Sequence, residues 1–362
     1  HREKNKQSLA KDFKKNKQKD VKAFLCALGL LVLYDTNPTY AYHQSIYYFV
    51  GLAAMVVCIY LIRVGRNFRL LVWPMMLLSL VLLVLPLFIG KETYGAKNWF
   101  YVGGISVQPS EIVKLTLIIV ISRFMADRRL IPWLGFSVAC LGVLMLQADL
   151  GTALLYYGVA LMLYFASSGN LVRLVFGVGA ALLGYQKFAH VKKRVAIWLD
   201  PWSDYDNAGY QLIQSLMAIA SGGVLGVGLG LGSPTTIPVY HTDFIFSVIC
   251  EQFGMLFGSC VLLMYVAIIW RGTSIAMAAR TRFHGLLAMG CTAMLGLQTF
   301  IIIGGVIKLI PLTGVTMPFV SYGGTSLVAC LCLIGLIQGV SSVNEDDLAR
   351  DADLADYGGG AA

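Results

Sequence analysis

Long apolar runs separated by short polar connections constrain this chain more than any other feature. Approximate cores fall at 23–34, 45–62, 70–90, 110–125, 131–147, 152–167, 173–187, 244–270, 283–305 and 324–342. A helix needs roughly 17–25 apolar residues to cross a bilayer, and most of these runs reach that length; the first and seventh are short. Of the 362 residues, 57% are hydrophobic and 13% are charged, which excludes an ordinary soluble domain. The pattern predicts an all-α polytopic membrane protein with about ten transmembrane helices. The N-terminal stretch is hydrophilic and basic and lacks the apolar region of a cleavable signal.

One long connection, about 188–243, lies between the seventh and eighth spans. No stretch is long enough for a separate soluble domain. Three regions result: a basic N-terminal segment at 1–22, one membrane domain at 23–342, and an acidic tail at 343–362 expected to be disordered. The eight cysteines all sit in apolar stretches without a CxxC pair, so they read as small hydrophobes, with no zinc site or disulfide framework.

Lys and Arg in short loops set the orientation. Arg63, Arg66 and Arg69 share a side with the basic N-terminal segment, as do Arg123, Arg128, Arg129, Arg173, Arg271, Arg280 and Arg282. That side is the cytoplasm, and both termini are placed there. The net charge of +9 lies largely in the N-terminal tail and short loops, so topology explains it and no nucleic-acid partner is expected. Lys91, Lys97, Lys187, Lys192, Lys193, Arg194 and Lys308 fall on the outer side, against the bias. Either they snorkel at helix ends or they face an anionic ligand at the outer leaflet. Four of them between 187 and 194 favour the ligand.

The long loop contains its own helix, "GYQLIQSLMAIASGG". Gln211, Gln214, Ser215 and Ala218 fall on one face, with Leu212, Ile213, Leu216 and Met217 on the rest. Gly222 and Gly223 end it. An interfacial helix on the outer surface is expected. "GVGLGLGSP" follows and reads as a flexible stretch; it has neither the preceding strand nor the GK[ST] of a phosphate loop.

Four acids lie in or beside spans: Glu111, Asp149, Asp243 and Glu251. Ionisable groups in hydrocarbon are costly, so each is a candidate functional residue. Each also has a structural reading. Glu111 and Lys114 are spaced to neutralise one another on a helix. Asp149 could cap the sixth span, and Thr242 or Asp243 the eighth. Glu251 lies about 12 Å beyond Asp243 at 1.5 Å per residue, which is too deep to share a proton with it. It reads as a polar contact inside the bundle.

These residues occur in "GAKNWFYVGGISVQPSEIVKL", "QADLGT", "KKRVAIWLDPWSDYDNAGYQLIQSLMAIASGG", "HTDFIF" and "PLTGVTMPFVSYGGTS". In that order they resemble the SEDS family (shape, elongation, division and sporulation; RodA/FtsW/SpoVE type) from about residue 25 to 342. The resemblance implies an inner-membrane glycosyltransferase that polymerises lipid II into glycan strands alongside a class B penicillin-binding protein, the transpeptidase. The family's essential aspartate corresponds to Asp243. Its outer-loop cation and tryptophan correspond to Lys97 and Trp99. Its QPSE-x-x-K positions correspond to Gln108, Pro109, Ser110, Glu111 and Lys114, and its SYGG to Ser321, Tyr322, Gly323 and Gly324. The chain departs from the family at Ala148, where a proline is usual, at Asn98, a basic position, and at Gln252, an acidic one. It also lacks an acid shortly before HTDFIF.

The resemblance and the residues together suggest a mechanism. Asp243 is the expected general base for a sugar hydroxyl. Arg194, Lys97 and Lys193 are expected to stabilise the leaving undecaprenyl pyrophosphate. Trp99 and Tyr210 either stack on sugars or anchor at the interface. The expected substrate-binding set is Lys97, Trp99, Glu111, Lys114, Asp149, Lys193, Arg194, Gln214, Thr242 and Ser321. A divalent cation, Mg or Mn, bridging Asp243 and the pyrophosphate is a second role open to that carboxylate. Competing readings are a lipid II flippase, a scaffold that activates the transpeptidase, and an ion-coupled transporter. The last would favour internal repeats, and none is evident.

Overall fold

The computed structural model describes all residues except 1–19, 66–67, 94–95, 103–104, 171–176, 178, 180–188, 206–207 and 359–362. Its helices are α1 (20–36), α2 (Pro38–Val64), α3 (Phe68–Ile89), α4 (Pro109–Ala126), α5 (Leu130–Leu146), α6 (Leu150–Ser168), α7 (Ala189–Leu199), α8 (Ala208–Gly222), α9 (Ile245–Met277), α10 (Arg282–Val306) and α11 (Gly324–Gly358). Among the described residues, six helices are long and apolar enough to cross a membrane, and α5 is a shorter apolar helix. This is a mostly helical multi-pass membrane protein. The expected seventh span lies largely outside the described residues.

Local chemistry explains the boundaries. Pro38 disfavours helical backbone at Asn37, so α1 stops there. The Asn37 side chain then accepts the Thr39 N–H at 3.0 Å and starts α2. Pro109 opens α4 at a position where its missing N–H costs nothing. Gly169, at φ 65°, closes α6 in the left-handed form that glycine tolerates.

The chain divides into two compact units. The first takes in His1–Tyr48, Gly179–Arg271 and Gly296–Leu327; the second takes in Phe49–Val178, Gly272–Leu295 and Val328–Ala362.

In the second unit, α11 packs closely on α2. A Cβ on Gly339 would lie 2.8 Å from Ile62 Cβ, and one on Gly335 would lie 3.1 Å from Cys58 Cβ. Small residues at such crossings let helices approach in lipid. This unit also holds three short antiparallel strands: β1 (Lys91–Thr93), β2 (Ala96–Val102) and β3 (Ile105–Val107), in the order β1-β2-β3. The all-α expectation missed them, because two of the strands have three residues each and β2, AKNWFYV, shows no strict alternation. The tail also differs from its expected disorder. α11 continues to Gly358, and Arg63–Asp346 and Arg280–Asp351 are paired at 2.7 Å each.

In the first unit, α9 is broken at Gly254, whose φ of 85° and ψ of 167° are not helical. Before the break, residues 245–252 are buried on every side; after it, Met255, Leu256, Leu262, Leu263, Val266 and Trp270 are exposed. The glycine-rich stretch after α8 fills the break. Met255 N–H donates to Gly223 O at 2.9 Å and Leu256 N–H to Val224 O at 3.2 Å. The stretch expected to be flexible is thus bonded to a helix.

Gly254 has no substitute at this crossing. A Cβ there would lie 2.5 Å from Gly226 N, in a backbone conformation that side chains avoid. Gly254→Ala is expected to cost about 1–3 kcal/mol from backbone strain alone, read as a lower thermal midpoint in detergent. Gly135→Ala, where a Cβ meets nothing within 4 Å, is expected to be neutral or stabilising.

Candidate active site

Asp243 sits in the turn that leads into α9, partly buried, with its N–H donated to Val239 O at 3.2 Å. Two hydrogen bonds tie this turn to the one preceding α11. Ser321 Oγ donates to Thr242 O at 2.5 Å, and Tyr322 N–H to His241 O at 2.8 Å. Gln44, buried in the apolar α2, braces the second turn. Its Nε2 donates to Ser321 O at 3.0 Å, and its Oε1 accepts Gly323 N–H at 3.2 Å. His241 stacks on Tyr40, with ring centroids 4.6 Å apart, and meets Tyr322 edge-on at 5.8 Å.

Gly314 lies beside the carboxylate. Its φ is 73°, and a Cβ there would lie 3.3 Å from Asp243 Oδ2. Arg194, on α7, donates through Nη1 to Leu312 O at 2.9 Å, two residues from Gly314. This bond orients the guanidinium and leaves its charge in place. Burial pushes the Asp243 carboxyl up to about 6, against the downward pull of the Thr242 hydrogen bond and Arg194. Desolvation penalises the charged form, whereas a nearby cation favours it. Here desolvation wins, so Asp243 is a stronger base than an ordinary aspartate and still ionised at neutral pH. Burial also holds His241 below its ordinary value, which keeps the ring neutral at pH 7.

The other expected residues of this unit are placed as follows. Thr242 adjoins Asp243 and bonds its carboxyl. Ser321 belongs to the framework: Oγ accepts Met317 N–H at 2.8 Å and donates to Thr242 O. Lys193 is largely exposed and 3.8 Å from Asp204. Gln214 lies half-buried on α8. Tyr210 meets Tyr205 edge-on at 5.8 Å, and Tyr205 stacks with Trp202 at 5.7 Å. Glu251 acts structurally, as expected: its Oε1 accepts Ser233 N–H at 3.1 Å.

The second unit holds the remaining candidates. β2 carries Lys97, exposed, and Trp99, half-buried. Asp149 caps α6, with Oδ1 accepting Thr152 N–H at 3.1 Å. Its Oδ2 accepts from Asn98 Nδ2 at 2.9 Å and Gln108 Nε2 at 3.2 Å. Glu111 and Lys114 form a buried ion pair one turn apart on α4. Two departures from the family pattern thus have partners. Asn98 holds Asp149, and in the first unit Gln252 Nε2 donates to Asp35 Oδ2 at 2.7 Å. The third departure, Ala148, has φ 59°, which the ring of proline forbids.

Sequence reasoning missed Gln44, Gly314 and the Tyr40–His241–Tyr322 cluster. A glutamine inside an apolar run was a usable signal for the first. The others depend on contacts between distant segments.

The architecture defines an integral membrane protein with a basic-shifted carboxylate in a braced turn, beside an arginine. The chain belongs to the FtsW/RodA/SpoVE family: residues 25–346 match the family described as "Cell cycle protein". It is 34% identical over 359 residues to a Mycobacterium tuberculosis protein named peptidoglycan glycosyltransferase RodA, covering 89% of this chain and 76% of the relative. It is 31% identical to stage V sporulation protein E of Bacillus subtilis, covering 88% and 94%. Among solved structures it resembles a chain from a peptidoglycan synthase complex that coordinates polymerization and crosslinking, with TM-score 0.76, 29% identity and coverage of 90% and 97%. It also resembles the rod shape determining protein RodA of Thermus thermophilus, with TM-score 0.68, 28% identity and coverage of 90% and 95%.

Removing one partner of a buried ion pair costs about 3–5 kcal/mol, whereas replacing both by apolar groups is often neutral. Lys114→Met is therefore expected to lower thermal stability strongly. Adding Glu111→Leu is expected to recover most of the loss, as a double-mutant cycle would show.

Proposed function

We propose that this chain is a peptidoglycan glycosyltransferase that uses Asp243 as general base in an inverting transfer from lipid II. The family carries the glycosyltransferase assignment. The observation that carries the mechanism is the Asp243 carboxyl, pushed up to about 6 in a turn with Arg194 nearby.

The acceptor is a sugar 4-hydroxyl, a weak nucleophile until its proton is removed. Asp243 takes that proton as the oxygen attacks the donor's anomeric carbon. The bond from that carbon to the pyrophosphate oxygen breaks in the same displacement, so an α donor linkage becomes a β-1,4 product. The leaving group departs as undecaprenyl pyrophosphate, and Arg194 stabilises the charge it gains. A base works best with a pKa near the working pH, and burial moves Asp243 towards it.

A divalent cation is a further proposal. Among the described residues no group of three or more His, Cys, Asp or Glu is arranged to hold a metal. Mg is commonly bound by one or two carboxylates together with substrate phosphates, and Asp243 with the donor pyrophosphate meets that description. Asp243 would be the protein's carboxylate ligand, and the ion would screen pyrophosphate charge.

We put Asp243 on the outer face of the cytoplasmic membrane, where the lipid-linked donor is used, and both termini inside, as the Lys/Arg bias of the short loops suggests. A class B penicillin-binding protein is the proposed partner, as the resemblance to a synthase complex suggests. The flippase reading relied on Lys114 and Glu251 to extend a polar path inward. Lys114 pairs with Glu111, and Glu251 accepts from Ser233, so both have structural work.

The test is polymerisation of fluorescent lipid II, with the partner present, read as product length on a gel. Asp243→Asn is expected to reduce polymer by about 10²–10⁴-fold, the usual worth of a general base. Equal polymer from both proteins would remove Asp243 as the base. Because the folded carboxyl lies above its unfolded value, the protonated form favours folding below about pH 6, and the buried charge opposes it above. Asp243→Asn is therefore expected to equal or exceed the wild type in thermal stability at pH 7–8, which separates lost catalysis from lost fold.

A further inference from the structure

From Asn207 to Thr242 the chain runs 36 residues without an Asp, Glu, Lys or Arg. A connection of that length in water would ordinarily carry charges, which are the residues most often exposed. The structure folds the stretch into α8, a glycine-rich hairpin and a short 3-10 turn (Pro234–Thr236).

The hairpin turns its apolar side chains outward and its backbone inward. Val224, Leu225, Leu229 and Leu231 are 64%, 80%, 49% and 75% exposed. Gly226 N–H donates to Gly222 O at 2.8 Å, Val227 N–H to Glu251 O at 2.9 Å, and Gly228 N–H to Gln252 O at 3.0 Å. Leu231 N–H donates to Gly228 O at 3.2 Å and Ser233 N–H to Glu251 Oε1 at 3.1 Å. Water would satisfy those N–H groups unaided and would disfavour those side chains. Hydrocarbon imposes the reverse on both counts.

The docking point agrees. The hairpin bonds α9 on both sides of Gly254, where the helix passes from buried all round to exposed on one face. From Met255 to Met277, α9 is about 34 Å long at 1.5 Å per residue, enough for a hydrocarbon core of about 30 Å. Met255 and Leu256, 52% and 61% exposed, begin that stripe, and they are the residues bonded to Gly223 and Val224. The apolar rim of the hairpin is thus continuous with the lipid-facing side of a membrane span.

We infer that the Val224–Leu231 hairpin is inserted in the membrane, with Leu225 and Leu231 among the acyl chains of the leaflet at the Asp243 end of α9. The occupant is lipid. A protein docking site would carry a polar rim; this stretch has no charge of its own, and the exposed carboxylate beside Gly230, that of Asp35, pairs with Gln252. Glu251 holds the hairpin in place. It accepts the Ser233 N–H, and a Cβ on Gly232 would lie 2.8 Å from its Oε2. The buried acid deep in the sequence of α9 thereby ties a lipid-immersed loop to the helix that begins beside Asp243.

The test uses the full chain in lipid nanodiscs, in a Cys260→Ser background because Cys260 is exposed. Nitroxides are placed singly at Leu225 and Leu231, with Leu263 as the lipid reference and Thr235, exposed on the 3-10 turn, as the water reference. Collision with oxygen is expected to exceed collision with a nickel chelate severalfold at Leu225 and Leu231, as at Leu263, with the order reversed at Thr235. Nickel accessibility matching Thr235 would overturn the inference. So would low access to both reagents, which would mean that protein covers the loop. Leu229 replaces either position if its labelled variant fails to run as a single species.

Discussion

The placement of Asp243 depends on a pair of hydrogen bonds between two turns that are far apart in sequence. Ser321 Oγ to Thr242 O and Tyr322 N–H to His241 O join the entrance of α9 to the entrance of α11. Both turns are irregular backbone, and buried backbone groups that go unpaired are expensive. Each turn satisfies the other, and Gln44 completes the set from α2. The Tyr40–His241–Tyr322 rings pack over the same junction. A carboxylate placed here inherits a defined position without spending its own oxygens on a helix cap.

That freedom matters for the chemistry. Asp149 shows the alternative: one oxygen caps α6, and the other accepts two amides. A carboxylate so engaged has both oxygens committed to the fold. Asp243 caps no helix, and burial raises its proton affinity. Arg194 tempers the rise from a fixed position on α7. The two aspartates thus differ in engagement: Asp149 is spent on a cap and two amides, and Asp243 is the residue we propose as the base.

Much of this was legible in the chain. Hydrophobic length marked the helices, because crossing a bilayer requires it. Scarcity of acids marked Glu111, Asp149, Asp243 and Glu251, and local spacing anticipated the Glu111–Lys114 pair and the Asp149 cap. The end of α8 at Gly222 followed from its glycines. What escaped were contacts across long separations. Gln252 meets Asp35 from 217 residues away, Asn98 meets Asp149 across 51, and Gly314 reaches Asp243 only through the fold. The strands escaped because two are only three residues long and the third does not alternate, and the helical tail because its charges pair with Arg63 and Arg280, far away in sequence.

The central claim is that Asp243 works as a base whose pKa is set by burial, and the pH dependence of polymerisation tests it most directly. Initial rates at limiting lipid II, with the same assembled protein, are expected to fall about tenfold per pH unit below about 6, where Asp243 binds a proton. Arg194→Gln removes a charge that lowers this pKa, so its acid limb is expected to move to higher pH. A wild-type rate that stays level from pH 7 down through 5, with the protein still folded, would contradict the account.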